Sequence, residues 1–299
     1  IYLLCQVDDF AIACDDEKTA SNYWDEIDKY LKAPLKREKG LITRHNGIDI
    51  DQSEDGIKIH CQTYLNKIIS TKTFDMTTTQ NKPIPMSSDT SKMNILENSI
   101  GPDDVEELLK LEEQFGFKYR NATGELIFAM VTCRPDIAYP VMKLSQYNYK
   151  PDKCHFDAIQ DIYRYLNATI SQGLQFWRPK PKTNLPKSNH TPPQEEPYIV
   201  YIPLESKSTT SPYCYADSDF AGDRKTRRSV GGLIIMFGGA AIVYKTILQR
   251  TIALSSTEAE FTAATEAATE AGKYILYIRS ILNEIGIEQK YATLSYEDN

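Results

Sequence analysis

Residues 213–220, YCYADSDF, alternate in a way that predicts a β-strand with two different faces. One face would carry Tyr213, Tyr215, Asp217 and Asp219, and the other Cys214, Ala216, Ser218 and Phe220. The two carboxylates therefore share a side. Acidic residues placed together on a strand need either solvent or a cation, so this stretch directs attention to its neighbours in the fold.

Three further apolar stretches follow in close succession and predict an antiparallel meander. They are GGLIIMFGG (231–239), AAIVYKT (240–246) and RTIALS (250–255). A long helix should then begin at Ser255, which stands three residues before Glu258 in the spacing of a capping box. The final stretch YATLSYED (291–298) predicts one more strand, pairing beside the first.

Three acidic residues from distant positions could converge in this half of the chain. Asp217 lies on the first strand, Glu260 one turn into the long helix, and Asp298 at the end of the last strand. Such carboxylates repel one another unless a cation lies between them, and oxygen ligands suit Mg²⁺, or Mn²⁺ in its place. Asp219 and Glu258 are interpreted as a surface acid and a helix-capping acid.

A second acidic pair interrupts two apolar runs at the beginning of the chain. YLLCQ (2–6) and FAIAC (10–14) predict short strands that flank Asp8 and Asp9. The remaining pattern mixes strands and helices. Helices are predicted over residues 19–32, 62–71, 102–115, 122–133 and 152–170, a hairpin over 47–60, a loop over 81–101 and an exposed linker over 179–212. The fold class expected is α+β.

Composition sets limits on function. The 299 residues, 41% of them hydrophobic and 25% charged, suit a globular protein of two domains. No apolar run is long enough to span a membrane, and no leader is recognisable, so an intracellular protein is expected. The six cysteines and four histidines show no zinc spacing and should be free. The chain begins and ends within strand-like sequence, and we expect it to be cut at both ends.

Charge is distributed unevenly along the chain despite a net charge of −7. Residues 89–113 contain eight acidic and two basic residues, whereas residues 118–182 contain ten basic and five acidic ones. Two interpretations stand beside each other: a surface that binds phosphates, with Lys143, Lys150 and Arg164 as candidates, or solvated helix faces. The same alternatives apply to the basic turn with Lys225, Arg227 and Arg228.

Several motifs together resemble one family. They are QVDD (6–9), QTYLNKII (62–69), NATGELIFAMVTCRPDIAYPVMKLSQY (121–147), IYRYLNATISQGLQF (162–176), YADSDFAGDRKTRRSVGG (215–232), ALSSTEAEFTA (253–263) and YEDN (296–299). Their order and spacing resemble the C-terminal part of the polyprotein of copia-type LTR retrotransposons. The resemblance covers the end of the reverse transcriptase, the connection segment and the first half of the ribonuclease H domain, nearly end to end.

The resemblance implies a domain organisation. It implies a reverse transcriptase palm over residues 1–80, an acidic loop and helix over 81–117, a connection segment over 118–178, a linker over 179–212 and a truncated ribonuclease H-like mixed sheet with a helix over 213–299. By the same resemblance Asp8 and Asp9 hold Mg²⁺ at the tip of the palm hairpin, and Asp217, Glu260 and Asp298 are the first three acids of the nuclease site.

The function implied is that of an RNA-directed DNA polymerase with ribonuclease H, acting by two-metal chemistry. Its partners would be an RNA template, a DNA primer, an RNA–DNA hybrid and the rest of the polyprotein, in a cytoplasmic virus-like particle or the nucleus. One palm aspartate would lie before residue 1 and the last nuclease acid beyond Asn299, so the fragment alone is expected to be inactive. The alternative is a non-catalytic remnant or a module that only binds hybrid.

Overall fold

A computed structural model describes residues 1–6, 9–14, 16–31, 36–37, 40–76, 84–178, 210–222 and 226–296. Asp8, Lys225, Asp298 and residues 179–209 of the expected linker lie outside the described residues. The protein is a mixed α and β fold with several sheets, as the α+β expectation requires. No helix in the described part of the chain is long and apolar enough to cross a membrane.

The chain divides into two compact units. Unit 1 comprises Ile1–Gln52 and Lys58–Leu174, and unit 2 comprises Ser53–Ile57 and Gln175–Asn299. Both units are therefore discontinuous in sequence, because a short segment of the N-terminal half belongs to unit 2. Within unit 2 this segment is bonded to the end of a later strand, where the Arg178 backbone N–H donates to the Asp55 carbonyl at 2.9 Å.

The described residues form ten strands and eight α-helices. The strands are β1 (Tyr2–Gln6), β2 (Asp9–Ala13), β3 (Arg44–His45), β4 (Ile48–Gln52), β5 (Gly56–His60), β6 (Gly173–Trp177), β7 (Tyr213–Asp219), β8 (Val230–Phe237), β9 (Ala240–Leu248) and β10 (Leu294–Tyr296). The helices are α1 (Glu17–Tyr30), α2 (Gln62–Ser70), α3 (Thr90–Asn98), α4 (Val105–Phe115), α5 (Tyr119–Thr132), α6 (Ala138–Ser145), α7 (Lys153–Ala168) and α8 (Ser256–Glu284).

Three sheets organise the strands. β1 and β2 form an antiparallel pair, and β3–β4–β5–β6 form a four-stranded sheet in that order. The third sheet has the order β10–β7–β8–β9, with β7, β8 and β9 antiparallel and β10 parallel to β7. The predicted meander and the predicted pairing of the last strand beside the first are both confirmed.

Unit 1 is built around an aromatic core between its helices. The rings of Phe115 and Phe156 stack with their centroids 4.9 Å apart, and Phe117 and Tyr119 contact Phe156 at 5.4 and 5.1 Å. All four side chains are buried. Aromatic rings bury the largest apolar areas of any side chains, so this cluster fixes α4, α5 and α7 against one another.

The core of unit 2 lies between the third sheet and α8. Cys214 and Ala216 of β7 and Leu233 and Ile235 of β8 are buried with Ala271 of α8. Tyr215 and Asp217 are exposed, so the alternation predicted for β7 is confirmed. The helix covers one face of the sheet, and Asp217 belongs to the opposite face.

Two local predictions were wrong. Residues 81–101 were expected to be a loop, but α3 forms within them and begins where the Asp89 side chain accepts hydrogen bonds from the amides of Ser91 and Lys92 at 2.8 and 3.1 Å. RTIALS (250–255) was expected to be a strand, but β9 ends at Leu248 and these residues lead into α8. Of its apolar residues Ala253 is buried, whereas Leu254 is 88% exposed, so the stretch has little to pair with or cover.

Candidate functional site

The first acidic pair lies where the N-terminal strands turn. β1 and β2 pair in a register that places Gln6 opposite Asp9, as expected for a hairpin with the acids at its tip. Asp9 begins β2 and is exposed, and Asp8 lies outside the described residues. The Gln6 side-chain oxygen accepts a hydrogen bond from the Asn46 amide, which ties the hairpin to the rest of unit 1.

Asp217 occupies the open face of β7 near its C-terminal end. Its Oδ1 accepts a hydrogen bond from the Ser218 backbone N–H at 2.7 Å, which fixes the orientation of the carboxylate. It lies opposite Gly232 on β8, so no neighbouring side chain from that strand covers it. A carboxylate held this way can offer its second oxygen to a ligand.

Glu260 lies in the second turn of α8, on the side that faces the sheet. It precedes Ile278 by 18 residues, which is five helical turns, and Ile278 packs against the buried core of unit 2. The helix begins as predicted, because the Ser255 side chain accepts from the Glu258 N–H at 3.1 Å. Glu258 accepts from the Leu254 N–H at 2.7 Å, so its predicted capping role is confirmed.

The last strand brings a third position close to Asp217. β10 is parallel to β7, and the last described pair is Tyr296 with Tyr215. Their rings contact each other with centroids 5.2 Å apart. Asp298 lies outside the described residues, two positions after Tyr296. Among the residues that the structure describes, no three acidic, histidine or cysteine side chains are grouped closely enough to hold a metal ion.

Two buried polar atoms near the start of α8 were missed from the sequence. Gln249 is fully buried, and its Nε2 donates to the Ala259 carbonyl at 2.8 Å. Its Oε1 and the Ser218 Oγ are buried without a hydrogen-bond partner. Ser218 lies on the helix-covered face of β7 with Ala216. The only signal in the sequence is a polar glutamine directly after the apolar strand β9.

Lys143 is placed differently from an exposed phosphate contact. Its ammonium lies 2.8 Å from the Glu97 carboxylate, and the side chains are 9% and 5% exposed. An ammonium buried against a carboxylate is not presented to a nucleic-acid backbone. In this fold Lys143 neutralises an acid of the 89–113 segment.

The other two cations of that segment also have intramolecular partners. Lys150 pairs with Asp103, again an acid of the 89–113 segment. The Arg164 guanidinium donates to the Asp75 carbonyl, the Asp161 carboxylate and the Gln160 side chain at 2.9, 2.9 and 3.1 Å. The charge asymmetry read from the sequence therefore serves, at least in part, to join the two segments within unit 1.

The basic turn between β7 and β8 is more open. Arg227 is exposed and Arg228 is partly exposed, whereas Lys225 lies outside the described residues. Arg227 has a positive φ of 59°, which turns the backbone sharply before β8. These two arginines are the candidates from the sequence that the structure leaves closest to solvent.

Comparisons with known proteins identify the family. Over 97% of its length the chain is 28% identical to the retrovirus-related Pol polyprotein from transposon TNT 1-94 of Nicotiana tabacum, and over its whole length 25% identical to that from transposon RE2 of Arabidopsis thaliana. The chain belongs to the retrovirus-related Pol polyproteins of copia-type transposons. It spans 19% and 17% of the lengths of these two relatives.

Another relative is shorter. The secreted RxLR effector protein 161 of Plasmopara viticola is 33% identical over 51% of this chain, and the match covers 88% of that protein. No family model matches the chain, and no solved structure matches it. The recognition made from the motifs is confirmed by the polyproteins.

Proposed function

We propose that the chain is part of a retrotransposon RNA-directed DNA polymerase with ribonuclease H. In this proposal residues 1–178 contribute the end of the palm and the connection, and residues 213–299 contribute the first part of the nuclease. The parent polyprotein would copy element RNA into DNA and degrade the RNA of the resulting hybrid. Membership of the copia-type Pol family supports the assignment.

The parallel register of β10 on β7 is the observation that carries the nuclease half. Tyr296 pairs with Tyr215, and Asp298 and Asp217 each follow two positions later. If the register continues, the two carboxylates stand side by side on neighbouring strands, which are about 4.8 Å apart. Two acids from unrelated parts of the sequence would then form one end of a site.

The donor atoms at this end of unit 2 fit a hard divalent cation. Asp217 offers a carboxylate oxygen, and Gln249 Oε1 and Ser218 Oγ are buried oxygens without partners near the beginning of α8. Such oxygen ligands suit Mg²⁺ or Mn²⁺, with Asp217, Glu260 and Asp298 as the residues that would hold it. A bound pair of ions would activate the attacking water and stabilise the leaving oxygen of a phosphodiester.

The chain itself would position these groups before substrate arrives. The Ser218 N–H holds one oxygen of Asp217, and the Ser255 cap holds the first turn of α8, from which Glu260 projects towards the sheet. Preorganised ligands cost less reorganisation when charge develops in the transition state. In the palm, the β1–β2 hairpin would present Asp8 and Asp9 in the same prepared way beside the primer end.

The test uses the complete polyprotein and separates its two activities. Asp217→Asn and Glu260→Gln should each reduce cleavage of the RNA strand of a hybrid by several orders of magnitude while primer extension continues. Asp8→Asn should do the reverse. Asp219→Asn, on the same face of β7, is the matched control and should retain cleavage. Full cleavage by Asp217→Asn would remove the nuclease assignment.

A hybrid-binding module without catalysis is the second candidate. The observation in its favour is that the described residues contain no group of three acids able to hold a metal. This candidate requires that the complete polyprotein binds RNA–DNA hybrid but neither extends a primer nor cleaves RNA at saturating Mg²⁺. The same assays therefore decide between the two candidates.

A further inference from the structure

Cys61 and Cys133 are two thiols at the ends of two helices in unit 1. Cys61 is the residue directly before α2, and Cys133 is the residue directly after α5. Their exposed fractions are 0% and 1%. The two side chains are hydrogen-bonded to each other, and both are free thiols in the structure. They are therefore close together although 72 positions separate them.

The helices that carry the two thiols are held together by further contacts. The Tyr64 hydroxyl of α2 donates to the Glu125 carbonyl of α5 at 3.1 Å, and the Tyr64 ring packs on Phe128 with centroids 4.5 Å apart. These contacts lie within a few residues of the cysteines on each helix. The approach of the two sulfur atoms is thus imposed by the packing of α2 on α5.

The surroundings make the two thiols chemically unequal. The hydrogen bond from Cys133 lowers the pKa of Cys61 against the opposing effect of burial, and the nearby Arg134 cation lowers it further. The N-terminus of α2 also favours a negative charge at this position. The same hydrogen bond and burial raise the pKa of Cys133. Cys61 is accordingly the better nucleophile, with Cys133 beside it.

We propose that Cys61 and Cys133 are a thiol pair that closes reversibly into a disulfide joining α2 to α5. The oxidant is a low-molecular-weight disulfide such as oxidised glutathione. The Cys61 thiolate attacks it and forms a mixed disulfide while one glutathione thiolate leaves. Cys133 then attacks the Cys61 sulfur, its proton passes to the second departing glutathione, and two protein thiols have been oxidised while one external disulfide is reduced to two thiols.

Burial gives the closed form a defined consequence. A buried pair reacts only when unit 1 opens locally, so the oxidant reports on that opening. Once formed, the bond would restrict the chain between residues 61 and 133 in the unfolded state and oppose separation of α2 from α5. Cys154 in the same unit is a suitable comparison, because it is only partly buried and its thiol bonds to Ser99 instead.

The experiment uses the whole 299-residue chain in buffers of graded oxidised-to-reduced glutathione ratio. Free thiols are alkylated in denaturant, and digested peptides are mapped by mass spectrometry. We expect a peptide pair linked through Cys61 and Cys133, its loss on treatment with dithiothreitol, and a rise in Tm of about 5 °C in the linked form. Cys154→Ser should behave as the wild type.

Variants identify the order of attack. In Cys133→Ser the reaction should stop with glutathione attached to Cys61, whereas in Cys61→Ser much less glutathione should attach to Cys133. Should either variant fail to fold, mapping of the wild type decides alone. Alkylation of both Cys61 and Cys133 at every ratio, or linkage of either one to Cys154, would overturn the proposal.

Discussion

Lys143 Nζ lies 2.8 Å from Glu97 Oε1, and both side chains are more than nine-tenths buried. The pair joins α6 to α3 across 46 positions of sequence. Two charges removed from water in this way are stable only together, since each is desolvated and the other is its compensating charge. α3 is therefore attached to unit 1 largely through a charge that the sequence alone places on a surface.

Removal of one partner should be much more damaging than removal of both. Lys143→Met leaves a buried carboxylate and should lower the free energy of unfolding by about 3 to 5 kcal/mol, whereas Lys143→Met with Glu97→Gln should recover most of that loss. Urea denaturation of the four proteins measures the cycle. Lys150→Met, whose partner Asp103 is largely exposed, is the control and should cost no more than about 1 kcal/mol. Equal losses in the single and double variants would contradict a buried pair.

The Arg134–Asp136 pair predicts a dependence of stability on pH. Burial acts to raise the pKa of Asp136, but hydrogen bonds and charge from Arg134, together with the Tyr165 hydroxyl, outweigh it and hold the pKa below the ordinary 3.8. A lowered carboxyl pKa contributes stability above pH 3.8, and this is lost as the pH falls through the folded-state value. Asp136→Asn should therefore destabilise the protein at pH 7, and the difference from wild type should shrink in strong acid.

Asp157 provides the matched control for this measurement, because burial raises its pKa instead. Asp157→Asn should cause no loss of stability at pH 7, since the charged form of Asp157 is disfavoured by the fold. Unfolding midpoints in urea between pH 7 and pH 3 test both variants. A constant difference for Asp136→Asn across that range would show that its charge is not responsible.

Tyr64 should be sensitive to alkali. Burial, and then the negative charge of Glu125, raise the pKa of Tyr64 to about 12 from 10.0. A raised pKa contributes stability below pH 10 that is lost as the pH rises towards 12, because the phenolate is not accommodated. Tyr64→Phe should cost about 1 kcal/mol at pH 7 through the lost hydrogen bond, and should lose less additional stability than wild type between pH 10 and 12.

Stability measured against pH checks the tyrosine prediction, and Tyr149→Phe serves as its control because Tyr149 is 77% exposed. That variant should follow the wild-type curve throughout. Identical alkaline curves for Tyr64→Phe and the wild type would indicate that Tyr64 ionises without cost to the fold.

Nucleic-acid affinity should depend on the basic turn more than on the paired cations. The logarithm of the binding constant for RNA–DNA hybrid falls with the logarithm of salt concentration by about 0.7 to 0.9 per phosphate contact. Arg227→Gln with Arg228→Gln should reduce that slope by up to two contacts. Lys150→Gln should leave it unchanged, because Lys150 is already paired with Asp103. The opposite ranking, measured by titration at several salt concentrations, would return the phosphate surface to residues 118–182.

Signals confined to a few neighbouring residues were sufficient for much of the fold. The apolar runs on either side of Asp8 and Asp9 gave β1 and β2, the alternation at residues 213–219 gave both faces of β7, and Ser255 marked the start of α8. Each of these patterns expresses local geometry. The recognisable motifs likewise led to the family.

Partners far apart in sequence explain what was not predicted. α3 buries only Leu96 and Glu97, so its apolar pattern is weak, and it is stabilised by the Asp89 cap and by contact with Lys143. The sequence shows that Lys143 is a cation but not which acid will neutralise it. Gln249 similarly gained its role from Ala259, which only the turn into α8 brings near.

The segment Ser53–Ile57 determines where this protein can be divided. Arg178 bonds to the carbonyls of Asp55 and Ser53 at 2.9 and 3.2 Å, and a Cβ on Gly56 would stand 2.0 Å from the Phe176 carbonyl. A polypeptide cut to begin at Gln175 would leave those backbone groups unpaired and expose a sheet edge to aggregation. Expression of the nuclease half by itself therefore calls for residues 53–57 to be supplied as a second peptide or joined to its N-terminus.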